Sequence, residues 1–75
     1  MKRKYEVLKE TGYDITNGHS SYGVVKAFKN ERDAFAFYSD PKNLRMHGEL
    51  FLERHDPDGK HYEWDGGKQE WRNVS

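Results

Sequence analysis

The chain has 75 residues, 13 basic and 13 acidic, with no net charge and 15% aromatic residues. That size allows one domain around one core, the aromatic content argues against disorder outside the ends, and zero net charge removes the simplest electrostatic case for nucleic acid. The lack of cysteine excludes a disulfide framework or thiolate metal site, and the lack of a long apolar run leads us to expect a soluble, cytoplasmic protein with no membrane contact.

Residues 3–8 alternate as a strand, with Tyr5 and Val7 on one face. Residues 11–21 are rich in turn formers, and Asn17-Gly18 is a hairpin signal. It either joins residues 13–16 to the β-forming run 22–29 or lies within a long loop. Tyr22 to Phe28 reads as a second strand.

The helix start is the clearest local signal. Asn30 can cap, Asp33 follows three residues later, and Glu31 suits the positive end of the helix dipole. At about 100° per residue, Ala34, Phe35, Phe37 and Tyr38 share one arc. Asp40-Pro41 reads as a new cap and first helical position, and Gly48 as a stop. Beyond it lies a meander: a strand over 49–54, a Pro57-Asp58-Gly59 turn, a strand over 60–65, a two-residue Gly66-Gly67 turn, and a strand over 68–73.

Those turns predict registers. The first places His55 opposite His61, Arg54 opposite Tyr62 and Glu53 opposite Glu63. The second places Trp64 opposite Gln69, Glu63 opposite Glu70 and Tyr62 opposite Trp71. Alternation then collects Leu50, Leu52, Tyr62, Trp64 and Trp71 on one face, which should pack on the helix, with Arg54 and Gln69 at its margins. The other face collects Phe51, Glu53, Glu63 and Glu70, with His55, His61 and Arg72 in the next row.

Glu53, Glu63 and Glu70 would thus form a transverse row of carboxylates, which like-charge repulsion disfavours unless something neutralises it. Lys4 or Lys26 from the first two strands would make it an ordinary solvated network. A basic protein partner docking on the face, with Phe51 as an apolar contact, is the second reading. Zinc held by His55, His61 and flanking carboxylates is the third, but two cross-strand histidines are a thin basis, and no metal or cofactor is assigned.

Other motifs carry less. Asp56-Pro57-Asp58-Gly59 lacks the ligand spacing of a calcium loop, and Gly66-Gly67-Lys68 lacks the hydroxyl residue and helix of a phosphate loop. His19 beside Ser20 and Ser21 has no orienting third group. No catalytic residues are assigned.

The reading is a single α+β domain over residues 1–75: an antiparallel sheet of four to five strands, in the order β-β-α-β-β-β, with one main helix on one face. The expected function is non-catalytic protein–protein interaction, as a small inhibitor or adaptor of the kind that phages and other mobile elements encode. The expected contacts are Glu53, Glu63, Glu70, Phe51, His55, His61 and Arg72. The alternative is nucleic-acid binding through Lys2, Arg3, Lys4, Lys9, Lys26 and Lys29, with a steep salt dependence. A third reading is a homodimer formed by the exposed edge of the first or last strand.

Overall fold

The computed structural model describes residues 3–75. In chain order the elements are β1 (Lys4–Asp14), β2 (His19–Phe28), α1 (Glu31–Ser39), α2 (Pro41–His47), β3 (Leu50–His55), β4 (His61–Asp65) and β5 (Glu70–Asn73). The five strands form one sheet in the order β2-β1-β3-β4-β5, every neighbouring pair antiparallel. The helices lie against one face, so the architecture is α+β with mostly strands.

The first hairpin is longer than a strand over 3–8 would make it. Thr11, Gly12, Ser20 and Ser21 all belong to strands, and the connection is the four residues 15–18. The Asp14 carboxylate explains the turn. It accepts hydrogen bonds from the amides of Thr16 (2.9 Å) and Asn17 (3.4 Å) and from Asn17 Nδ2 (2.7 Å). Gly18 then takes the left-handed conformation, φ +69°, and its amide closes on the Asp14 carbonyl. Bonds from the Asn17 side chain, then from the Asn17 and Thr16 amides, hold the Asp14 carboxyl below its ordinary value.

The helix signals act as expected. Asn30 Oδ1 accepts from the Asp33 amide at 2.8 Å, and Asn30 Nδ2 donates to the Asp33 carboxylate at 2.8 Å. Asp40 ends α1 and caps α2 through the Lys42 amide (2.9 Å), with Pro41 at the first helical position. Asn43 Nδ2 donates to the Phe37 carbonyl and ties the two helices together. Gly48 stops α2 with φ +80°.

The core forms between α1 and the three central columns of the sheet. Tyr5, Val7, Ala34, Leu50 and Leu52 are buried, with Phe28, Phe35, Phe37, Tyr38, Trp64 and Trp71 packed around them. Phe35 on α1 is the keystone: its ring meets Trp64 edge-on at 4.8 Å, Trp71 at 5.9 Å and Tyr38 at 6.5 Å. Arg54 covers Tyr62 and Trp71, its guanidinium 4.2 and 5.0 Å from their ring centres, and is held by two bonds to Asp56.

The Pro57-Asp58-Gly59 turn sets the β3–β4 register as predicted, with Glu53 opposite Glu63, Arg54 opposite Tyr62 and His55 opposite His61. The β4–β5 register differs from prediction. Trp64 faces Trp71, Glu63 faces Arg72, Tyr62 faces Asn73 and Asp65 faces Glu70. The loop holds the four residues 66–69, not Gly66-Gly67 alone. Asp65 is the reason: like Asp14, its carboxylate accepts from two loop amides, Gly67 at 3.0 Å and Lys68 at 3.1 Å. The longer loop slides β5 by two residues. Since side chains alternate with period two, Trp71 keeps its place on the helix side while its partner changes.

Gln69 occupies the place that Gly18 holds in the first turn, at φ +54°, and is the only non-glycine residue with positive φ among the described residues. A side chain in this conformation costs about 1–2 kcal/mol, partly offset by the greater unfolded-state freedom of glycine. Gln69→Gly should therefore raise stability by about 0.5–1 kcal/mol. Urea denaturation with an unchanged slope but a higher midpoint would show it, and an unchanged or lower midpoint would refute it.

Candidate functional site

The helices cover one face of the sheet and leave the other open. On the open face, the partners Val24–Leu8 and Leu8–Phe51 set an apolar row, and Tyr22 stands edge-on to Phe51 at 5.3 Å. Leu8 is nearly enclosed by this cluster, whereas Tyr22 and Val24 are each 51% exposed. Next to it runs a transverse row with one residue from each strand: Ala27, Glu6, Glu53, Glu63 and Arg72. A concavity of about 110 Å³ sits where the two rows meet, lined by Leu8, Tyr22, Phe51, Glu53 and Glu63.

A row of three carboxylates therefore exists, but its members differ from those the sequence suggests. Glu70 pairs with Asp65 at the loop end because β5 is displaced, and Arg72 takes its place opposite Glu63, with Nη2 3.6 Å from the carboxylate. The third carboxylate is Glu6, brought in by β1 lying against β3. Alternation along β1 already put Glu6 on the face away from Tyr5 and Val7. What the sequence lacked was the neighbour, since no short turn links β1 to β3.

All seven expected contact residues, Phe51, Glu53, His55, His61, Glu63, Glu70 and Arg72, project from the open face by strand alternation. His55 and His61 pack edge to face, ring centres 4.3 Å apart. His55 Nε2 lies 2.8 Å from Glu6 Oε1 and 3.2 Å from Glu53 Oε1. Neither approach has hydrogen-bond geometry, and the nitrogen, shut off from solvent, has no hydrogen-bond partner. Lys4 serves the other Glu6 oxygen, Oε2, at 3.4 Å. Lys26 does not reach the row: it pairs with Val7 on the helix side, its ammonium over the Phe28 and Phe37 rings. Across the sheet, burial pushes the Tyr38 phenol above its ordinary value, and the Glu49 and Glu63 carboxylates add to the effect.

The basic residues do not form one stripe. Arg3 pairs with Asp56 at 3.2 Å and Lys4 with Glu6, while Lys9 and Lys26 fall on the helix side. Arg3, Lys4 and Lys29 meet around Phe28 at an open hollow of about 370 Å³. Lys2 lies outside the described residues. The rings of Trp64 and Trp71 pack against Phe35 of α1. β1 sits inside the sheet between β2 and β3, so the free edges belong to β2 and β5, not to the first strand.

The chain matches no family model, no curated protein and no solved structure in comparisons with known proteins. Fold and site define a small α+β domain whose sheet is covered on one side and carries an apolar cluster beside an acidic row on the other. No helix among the described residues is long and apolar enough to cross a membrane.

Proposed function

We propose that this chain is a non-catalytic protein-interaction module, of the inhibitor or adaptor kind, that receives a basic partner surface on its open sheet face. One observation carries the reading: a hollow lined by apolar Leu8, Tyr22 and Phe51 together with acidic Glu53 and Glu63. Exposed Tyr22 and Val24 stand beside Glu6, Glu53 and Glu63, whose direct opposition across the strands is unfavourable and which Lys4 and Arg72 offset only at the two ends. A partner presenting an apolar side chain flanked by lysine or arginine would bury the first and neutralise the second. Apolar anchors would then supply most of the affinity, and the charges would supply encounter rate and orientation.

The test is a pull-down from host lysate at low and moderate salt, with protein and nucleic acid both identified, followed by titration with the purified partner. Glu63→Lys and Tyr22→Ala change exposed or half-exposed groups and should leave the melting transition nearly in place. Each should weaken binding by about tenfold or more, as expected for one interface residue worth above about 1.4 kcal/mol. A partner held equally well by both variants would refute the open-face reading. Recovery of nucleic acid alone, released by salt, would replace it with the Arg3, Lys4 and Lys29 surface.

A further inference from the structure

We propose that Glu6, Glu53 and His55 form a binding site for a divalent transition cation of the zinc class. Glu6 on β1 and Glu53 on β3 are direct cross-strand partners, and His55 lies two residues beyond Glu53 on the same face. One oxygen from each carboxylate and one imidazole nitrogen lie within 4.8 Å of one another. The nitrogen is 2.8 and 3.2 Å from the two oxygens. Zinc bonds of about 2.0–2.2 Å in tetrahedral array set ligand atoms roughly 3.4 Å apart, so a small opening of the side chains makes room for the ion.

Two further features point the same way. His55 Nε2 is a buried nitrogen with close oxygens but no hydrogen bond to any of them. A buried polar atom without a partner is costly, and coordination would satisfy it. The two opposed carboxylates repel across the β1–β3 pair, and Lys4, 61% exposed, is a weak counter-charge on the outer oxygen alone. A dication removes that repulsion at both carboxylates. The imidazole decides the class, because calcium and magnesium take oxygen ligands, whereas mixed nitrogen and carboxylate sets suit zinc and its neighbours. The side chains of Glu6, Glu53 and His55 are 16%, 32% and 26% exposed, while His55 Nε2 itself is shut off from solvent, so an ion reaches it as these side chains open. His61 packs edge to face against the His55 ring and restricts its rotation. The site shares Glu53 with the docking hollow but not Glu6 or His55, and its test needs no protein partner.

The experiment uses the full chain without a histidine tag, stripped with chelator and titrated with zinc chloride by calorimetry and by NMR of the histidine ring nitrogens. One equivalent should bind, the largest shift should fall on His55 Nε2, and the melting temperature should rise with zinc. Calcium at the same concentrations should do neither. His55→Gln and Glu53→Gln should each weaken binding by at least about tenfold. Zinc shifts centred on His19 or His47, binding undiminished in His55→Gln, or no binding at millimolar zinc would overturn the assignment. The NMR readout on the unaltered chain decides the matter even if a variant fails to fold.

Discussion

Leu52→Ala should destabilise the protein by about 3–4 kcal/mol, within the range for buried leucine truncation. Leu52 is fully enclosed and faces Val7, also fully enclosed, across the β1–β3 pair. Both neighbouring strands of β3 are hydrogen-bonded in place and α1 lies above, so the space left cannot readily collapse. A domain of this length has roughly 4–11 kcal/mol in all, at about 0.05–0.15 kcal/mol per residue. The loss is therefore between about a third and nearly all of the total, and should appear as a much lower midpoint in urea denaturation followed through tryptophan fluorescence. Leu52→Ile, which conserves volume, should cost less than about 1.5 kcal/mol. A small loss in Leu52→Ala would mean that the sheet can close over the gap and that the core lies elsewhere.

Trp71→Ala should cost about 2–3 kcal/mol, below the about 3–5 of a fully buried aromatic because Trp71 is only half-buried. The ring touches Tyr5 at 6.1 Å, Phe35 at 5.9 Å and Trp64 at 5.3 Å between centres, and lies under Arg54. A double-mutant cycle with Trp64→Ala should give a coupling of about 0.5–1.5 kcal/mol, the usual value for an aromatic pair in contact. This cycle also reads the register. If Gly66-Gly67 alone made the turn, Trp71 would stand opposite Tyr62 and only diagonal to Trp64, and its coupling to Tyr62 would exceed that to Trp64.

Much of the fold was legible because the signals are local. The Asn30 and Asp40 caps, the Gly48 stop and the Pro57-Asp58-Gly59 turn each act within a few residues, and each appears in the structure as read. Where the reading slipped, a side chain extended a turn. Asp14 and Asp65 both accept two loop amides, which lengthens each loop to four residues. An aspartate just before a glycine- or asparagine-rich turn is a visible signal, but it competes with the dipeptides Asn17-Gly18 and Gly66-Gly67, which favour two-residue turns in isolation.

The sequence by itself determined which residues of β3, β4 and β5 belong on each face, since alternation along a regular strand is a property of the chain and survives the two-residue slide of β5. In β2 the bulge opposite Val7 and Leu8 breaks it and sends Val24 and Lys26 to opposite faces. It also determined the main helix, the β3–β4 pairing and the aromatic core. Only the tertiary structure decided the neighbours of β1. Its pairing with β3 joins segments separated by a hairpin and two helices, and no turn chemistry specifies it. What selects that pairing is burial: β1 is the strand whose Tyr5 and Val7 fill the space beside Leu52 beneath α1. The same choice carries Glu6 to Glu53 and His55 on the far side of the sheet, so the composition of the candidate site follows from how the core on the opposite face is packed.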